Sequence, residues 1–173
     1  MKFKSCGNTV RRATAEDLPA IRRIYNQAKA YMVSNGNPTQ WPEGYPYDDI
    51  LAEDIEIGQI FVVCKEDDAP PHGVFALIAG IDPTYINIYD GCWLNDRDYI
   101  TLHRVGSDGT LSGIMRTAVT FARAKYPELD VRIDTHADNA KMHEILNSLG
   151  FKKCGTIFVL VDSPRTAYQL VTG

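Results

Sequence analysis

Apolar residues recur every three or four positions in several stretches of the chain, and this periodicity predicts helices. The clearest stretch runs from Leu18 to Met32 and predicts an amphipathic helix over residues 18–33. Asn35-Gly36 is a typical signal for the end of such a helix. Further helices are predicted at residues 48–57, 111–126 and 139–149.

Short apolar runs bounded by turn residues predict strands between these helices. They lie at residues 9–13, 60–65, 73–81, 99–105, 131–136, 156–161 and 166–171. The resulting order β-α-α-β-β-β-α-β-α-β-β predicts a mixed α/β (α+β) sheet rather than a strict βαβ repeat. A chain of 173 residues is long enough for one domain with a real core and short for two. We therefore expect a single domain over residues 1–173.

Composition and charge narrow the classes of partner. Hydrophobic residues make up 45% of the chain and charged residues 23%, values typical of a globular protein. The net charge of −4 provides no basic surface for phosphates, so we expect no nucleic-acid partner.

No stretch approaches the ~18 consecutive apolar residues of a membrane span, and the first ten residues lack the apolar core of a signal peptide. We expect a cytoplasmic protein with no membrane partner. The four cysteines have no metal-type spacing with the four histidines, so we expect reduced thiols and no metal.

A glycine-rich turn, GSDGTLSG at residues 106–113, joins the strand at 99–105 to the helix at 111–126. The first backbone N–H groups of a helix have no partner within the helix and favour an anion. The turn has neither the Lys-Ser/Thr of a P-loop nor a GxGxxG pattern. Taken alone, it is either a site for the pyrophosphate of a cofactor or an ordinary strand-to-helix turn.

The segment DTHADNAKMHEILNSLGF, residues 134–151, favours the first of these interpretations. Asn139 stands at the predicted start of its helix as the N-cap, and Gly150 stands just past the end, where a positive φ is usual. This helix resembles motif B of the GNAT superfamily of acyl-CoA-dependent N-acyltransferases, an N-x-x-A-type helix that ends in L-G-F. Here the motif is Asn139-x-x-Met142, ending in LGF at residues 149–151.

The glycine turn then resembles motif A of the same family, Q/R-x-x-G-x-G/A, as Thr110-x-x-Gly113-x-Met115. The order of strands and helices is similar to the GNAT order over nearly the whole chain. The segments QW, YP and SPR also resemble bacterial GNAT proteins of unassigned substrate. The resemblance implies a mostly antiparallel, splayed sheet of about six to seven strands flanked by about four helices. It also implies acetyl-CoA as co-substrate, in contact with Val105, Thr110, Leu111, Ser112, Gly113, Ile114, Met115, Arg116, Asn139 and Met142.

The activity implied by the resemblance is direct transfer of an acetyl group to a primary amine of a small molecule or peptide. Three positions depart from the family pattern. Thr110 replaces Gln or Arg, Met115 replaces a small residue, and Leu146 stands where many members carry a Tyr that protonates the leaving thiolate. These departures leave open a catalytically weak acyl-CoA-binding module, and an unrelated nucleotide-binding α/β domain is a third alternative.

Only a neutral amine attacks a thioester, so the acceptor's ammonium group needs a base. An imidazole, with an ordinary pKa of ~6.5, suits this task. The candidates are His103, on the strand whose family counterpart often carries the base, and His136, at the end of the next strand. Asp134 could orient His136 from the same strand. A histidine on an apolar strand is more often a core residue whose hydrogen bonds are all made, and this alternative applies to both histidines.

Aromatic residues mark the candidate acceptor site. Trp41, Tyr45 and Tyr47 lie between the first two helices, a region that lines the acceptor pocket in the resembled family. Their rings could hold a cation or could equally pack the loop onto the core. Tyr99, which ends a long irregular connection, carries the same ambiguity. Arg165, in a predicted turn, could pair with a substrate carboxylate, although an exposed turn arginine usually has no specific partner. The identity of the acceptor stays open, as does the formation of a homodimer through the last strands of the chain.

Overall fold

Eight strands form one sheet in the computed structural model, which describes residues 2–173. They are β1 (Phe3–Ser5), β2 (Asn8–Arg12), β3 (Ile60–Cys64), β4 (Pro71–Ala79), β5 (Tyr99–Ser107), β6 (Asp130–Thr135), β7 (Lys152–Leu160) and β8 (Ser163–Leu170). Their order across the sheet is β1-β2-β3-β4-β5-β6-β8-β7, and only β5 and β6 run parallel. The expected mixed, mostly antiparallel sheet is confirmed. Its additional strand, β1, has three residues, too few for a recognisable alternation.

Four α-helices accompany the sheet, as expected. They are α1 (Leu18–Ser34), α2 (Asp48–Glu56), α3 (Ile114–Lys125) and α4 (Ala140–Ser148). Asn139 caps α4 through its side chain, and Gly150 follows the helix with a φ of +89°. Helix α3 begins three residues later than predicted because Gly113 adopts the left-handed conformation, with a φ of +72°.

The core lies on both faces of the sheet. Helices α3 and α4 pack against Ile100, Leu102 and Ile133 on one face. Helices α1 and α2 cover Val62 and Val74 on the other. No helix within residues 2–173 is long and apolar enough to cross a membrane, and the four cysteines in that range are all free.

The connection between β4 and β5, residues 80–98, packs against the sheet rather than projecting from it. Tyr85 is almost fully buried, and Trp93 packs beside it together with Tyr99. The guanidinium of Arg132 lies 4.0 Å from the ring centroids of both Trp93 and Tyr99. The connection therefore covers the α1 face of the sheet beyond α1 itself, where Tyr85 and Trp93 lie beside β5 and β6.

Strands β5 and β6 diverge. They pair over three residues each, 99–101 and 130–132. Beyond this point β5 continues to Ser107 beside β4, and β6 continues to Thr135 beside β8. The expected splayed sheet therefore opens into a wedge between the two parallel strands.

The last hairpin differs from the sequence prediction. Residues 162–165 were expected to form its turn, but the turn is confined to residues 161–162. Pro164 lies within β8 opposite Phe158, where the register shifts, and a proline without N–H is tolerated at such an irregularity. Arg165 is consequently a strand residue with only 6% of its surface exposed, not an exposed turn arginine.

Candidate active site

A cavity of about 1150 Å³ fills the opening between β5 and β6. Residues 102–108 and 133–135 form its walls. One end meets the start of α3, and the other meets the aromatic loop between α1 and α2 together with the tip of the β7–β8 hairpin. Because pockets for a single small ligand are roughly 300–1,000 Å³, this cavity has room for a long ligand and a second molecule beside it.

Strand β5 has a bulge where it borders the cavity. Arg104 and Val105 together lie opposite the single residue Phe75 of β4. Arg104 has a φ of +49°, which is uncommon for a residue with a side chain. Its carbonyl accepts a 2.8 Å hydrogen bond from the Tyr25 hydroxyl of α1, and its guanidinium pairs with Asp54 of α2. Since bulges bend a strand and re-aim its residues, this one directs the Val105 backbone along the cavity wall.

The start of α3 presents a row of unpaired donors. Six consecutive backbone N–H groups, residues 111–116, have no hydrogen-bond acceptor among residues 2–173. They flank Gly113, whose left-handed conformation turns the chain into the helix. The amide of Asn8 donates to Ser112 O at 3.3 Å and to Thr117 Oγ1 at 3.2 Å, which fixes the turn on β2. Free N–H groups at a helix start form an anion site, and a pyrophosphate fits this set.

Asp108 anchors the first half of the same turn. Its carboxylate accepts hydrogen bonds from His72 Nδ1 at 2.7 Å, from Arg23 Nη1 at 3.0 Å and from the Thr110 N–H at 2.9 Å. Burial alone raises the pKa of this carboxyl, but the hydrogen bonds from His72, Thr110 and Arg23 outweigh it and lower the pKa of Asp108 to about 2. The Thr110 N–H is thus already used, and the row of free donors starts at Leu111.

His103 projects from β5 into the cavity and pairs with Asp82 of the long connection. The distance from Nε2 to Asp82 Oδ2 is 2.8 Å. Burial alone raises the pKa of Asp82, but hydrogen bonds from His103 and Thr84 outweigh it and lower the pKa to about 2. An ionised carboxylate only accepts, so Nε2 carries the hydrogen. Nδ1 of His103, which has no partner among residues 2–173, is then the nitrogen that can take up a proton.

His136 has a different environment. Its Nδ1 accepts a 3.1 Å hydrogen bond from the Asp138 N–H, its Nε2 lies 3.3 Å from Thr39 Oγ1, and it is not part of the cavity wall. The expected partner Asp134 bonds elsewhere, since its Oδ1 accepts a 2.6 Å hydrogen bond from the Tyr85 hydroxyl. His136 therefore orders the end of β6, whereas Asp134 faces the cavity.

The aromatic loop between α1 and α2 is held by Gln40. Its Oε1 accepts hydrogen bonds from groups at the end of β6 and the start of α4, and from its own loop: Thr135 Oγ1, the His136 N–H, Asn139 Nδ2 and Asn37 Nδ2. Trp41 and Tyr45 follow with ring centroids 6.0 Å apart, and Tyr47 lies 5.8 Å from Tyr45. All three rings line the cavity. Trp41 also packs edge-on against Tyr25 at 5.5 Å, so it both packs the loop and lines the cavity.

A solved structure of an acetyltransferase of the GNAT family from Streptococcus agalactiae 2603 has the same architecture. It superposes with a TM-score of 0.86 and is 29% identical over 98% of this chain and 98% of that one. The chain belongs to the GNAT superfamily. The membership predicted from the two motifs is confirmed.

Two further acetyltransferase structures share the fold at lower identity. A GNAT-family acetyltransferase from Listeria monocytogenes 4b F2365 has a TM-score of 0.70 and 19% identity, covering 98% of this chain and 99% of that one. The ribosomal-protein-S5-alanine acetyltransferase from Vibrio fischeri has a TM-score of 0.63 and 17% identity, covering 99% and 97%. Comparisons with protein-family models and with curated proteins gave no match. The name of the Streptococcus agalactiae structure supports a general acetyltransferase activity for this GNAT protein.

The predicted GNAT site residues separate into those that line the cavity and those that do not. Every predicted acyl-CoA contact except Thr110 lines it. Met115 is only 5% exposed, and it packs in the core with Leu146, which is fully buried. The Tyr99 side chain is buried beside the connection, where its hydroxyl accepts a 3.0 Å hydrogen bond from the Asp82 N–H. Tyr99 thus supports Asp82 rather than lining the cavity.

Sequence reasoning did not identify Asp82, Tyr85 and Gln40 as part of the candidate site. The unusual length of the connection before β5 was a signal for the first two, but only the sheet brings them beside His103 and Asp134. Gln40 belongs to the QW segment that resembles bacterial GNAT proteins, but that resemblance assigned it no role. Among residues 2–173, no group of three or more His, Cys, Asp and Glu side chains is arranged so that it could hold a metal ion.

Proposed function

We propose that this GNAT protein transfers an acetyl group from acetyl-CoA directly to a primary amine, with His103 as the general base. One observation carries the proposal. A single cavity joins the free N–H groups of residues 111–116 to His103, whose side chain pairs with Asp82. Direct transfer needs both substrates in one space, with a base at their meeting point.

The donor half of the cavity has the groups that acetyl-CoA requires. The N–H groups of residues 111–116 would bind its pyrophosphate, and the exposed Arg116 would add positive charge. Beyond Thr101 the β5 backbone has no partner in β6, so its polar groups on that edge can bond the amides of the pantetheine arm. The N–H of Val105, beside the bulge, would polarise the thioester carbonyl.

His103 would supply the proton acceptor. Nδ1 takes one proton from the acceptor's ammonium group, and the charge of Asp82 stabilises the resulting imidazolium. The neutral nitrogen then attacks the thioester carbon. A C–N bond forms and the C–S bond breaks, with the electron pair leaving on sulfur, and the nitrogen releases its second proton to water to give the amide. Because a thiol has an ordinary pKa of about 8.5, the thiolate can take its proton from water, so the buried Leu146 need not supply one.

Release of free thiol from acetyl-CoA, measured across a broad panel of primary amines with mass spectrometry of the products, tests the proposal. His103→Gln should lower kcat/KM by on the order of 10²- to 10⁴-fold, the usual contribution of a general base. His136→Gln, which alters a histidine outside the cavity, should change it by less than about threefold. No thiol release with any amine, or equal losses in the two variants, would contradict the proposal.

A non-catalytic acyl-CoA-binding module is the second candidate, because Leu146 is fully buried and cannot act as an acid. This candidate predicts tight retention of acetyl-CoA, unchanged after incubation with amines. Equilibrium dialysis followed by mass spectrometry of the retained ligand distinguishes the two functions.

A further inference from the structure

Arg165 is a buried cation without a counter-ion in contact. It is 6% exposed, lines the cavity, and has no carboxylate within 4.0 Å among residues 2–173. Neutral groups hold it instead. Nη1 donates to Ser163 Oγ at 2.8 Å and to Pro164 O at 3.1 Å, and Nη2 donates to Gln40 O at 2.6 Å. Nε–H and one hydrogen of Nη2 have no acceptor in that range, and neighbouring guanidinium nitrogens match the two oxygens of a carboxylate.

A buried charge needs a compensating charge, and burial accordingly lowers the pKa of Arg165 against the opposing influence of Asp134. Asp134 does not supply a direct pair. Its Oδ1 is bonded to Tyr85, and its Oδ2 has no hydrogen-bond partner among residues 2–173. The cavity wall thus carries two charged groups that are not in contact with each other. One is the free carboxylate oxygen of Asp134, and the other is the Arg165 guanidinium with its free N–H groups.

The spacing of these two charges indicates the size of the ligand. Asp134 pairs with Ala167 across β6 and β8, so Arg165 is its diagonal neighbour on the same face. Diagonal neighbours are about 7–8 Å apart in the backbone. A compact zwitterion can bridge the two side chains, whereas a long diamine has no group for Arg165.

We propose that the acceptor is a free amino acid, whose carboxylate binds Arg165 and whose amine lies against Asp134 beside His103. Tyr85 joins the two positions, since its hydroxyl bonds Asp134 and its ring centroid lies 6.1 Å from that of His103. The inference rests on the proposed acetyl transfer and names the substrate class of the same site.

Matched pairs of acceptors test the carboxylate directly. Thiol release would be measured for each of the twenty protein L-amino acids and for its carboxamide, which keeps the amine and side chain but lacks the charge. For the amino acid that reacts best, the kcat/KM of wild-type protein should be at least about tenfold higher than for its amide, because the amide leaves Arg165 without a counter-charge. Equal rates for acid and amide would overturn the inference.

Variants separate substrate binding from a structural role of Arg165. Arg165→Met should lower kcat/KM for the acid by about 100-fold and for the amide by less than about threefold, so that the preference disappears. Arg165→Lys, which keeps the charge, should retain part of the preference. Arg123→Met, which removes an exposed arginine of α3, is the control. If Arg165 only anchors the loop through Gln40, the acid and the amide lose activity equally, and the inference fails.

Failure of the inference is distinguishable from failure of the proposed function. Activity only with amines that lack a carboxylate, such as spermidine, overturns the inference and leaves acetyl transfer standing. If no amine releases thiol, the proposed acetyl transfer fails, and a binding measurement then tests whether Arg165 binds a carboxylate. Thermal-shift titration with coenzyme A present should then show stabilisation by free amino acids and not by their amides. Equal stabilisation, or none by either, overturns the inference.

Discussion

Replacement of Asp82 by Asn removes the charge beside His103 and leaves the side chain's size unchanged. In the folded protein the pKa of Asp82 falls from 3.8 to about 2. One pKa unit corresponds to about 1.4 kcal/mol, so folding favours the ionised carboxylate by about 2 kcal/mol. The Asp82 side chain is only 14% exposed, so solvent screens this interaction little. Asp82→Asn should therefore lower the free energy of unfolding by up to about 2 kcal/mol at neutral pH.

The pH dependence of this loss has a fixed sign. A carboxyl whose pKa is lower in the folded state contributes its full stability above the unfolded pKa and loses it as the pH falls towards the folded pKa. The difference between wild type and Asp82→Asn should shrink between pH 4 and 2, where the carboxyl takes up its proton. Urea unfolding at pH 7, 5 and 3 measures it, with the exposed Asp96→Asn as the control. A difference that is absent at pH 7, or that is as large at pH 3 as at pH 5, would refute the reasoning.

The same variant should impair acetyl transfer. Without an ionised acceptor at Nε2, the imidazole is no longer held as the tautomer with a free Nδ1, and the imidazolium loses its counter-charge. A fall in kcat on the order of 10²-fold, with a smaller change in KM, is expected in the thiol-release assay. Unchanged kcat would mean that Asp82 does not position His103 for proton transfer.

Two further substitutions test the supports of the cavity. Asn8→Ala removes the hydrogen bonds that hold the start of α3. It should therefore weaken acetyl-CoA binding, measured by calorimetry, and destabilise the fold by about 1–3 kcal/mol. The control Asn147→Ala, at an exposed position, should change neither the binding nor the stability. A Cβ on Gly91 would lie 1.9 Å from the Cys154 carbonyl oxygen, so Gly91→Ala should displace the long connection, cost about 2–3 kcal/mol and lower activity. Gly80→Ala, where a Cβ meets nothing within 4 Å, should cost only the strain of its positive φ, about 1 kcal/mol, in the same chemical unfolding experiment.

The elements with strong periodicity were predictable from sequence, and the exceptions have local causes. Helix α1 and strand β3 agree with their predictions within a residue or two, because apolar spacing alone sets them. Strand β1 has too few residues for a pattern. Strand β8 begins before Arg165 because its pairing with β7 outweighs the turn signal of Ser163-Pro164.

The site was predictable only where a motif is continuous in sequence. The turn at residues 106–113 and the helix capped by Asn139 carry the proposed donor half in local segments. The acceptor half is assembled from distant residues. His103 bonds Asp82, 21 positions away, and Tyr85 bonds Asp134, 49 positions away. No spacing rule connects such pairs, since they meet only through the packing of the long connection on the sheet.

The opening between β5 and β6 needs an explanation, because pairing would satisfy backbone groups along the facing edges of residues 102–107 and 133–135. The elements on the α1 face supply one. Tyr25 and Asp54 hold the bulge at Arg104 in a conformation that a regular strand does not adopt. The long connection places Tyr85 against Asp134 of β6. The contacts that keep the strands apart thus come from the same elements that supply the cavity's polar groups, so the opening and its chemistry depend on each other.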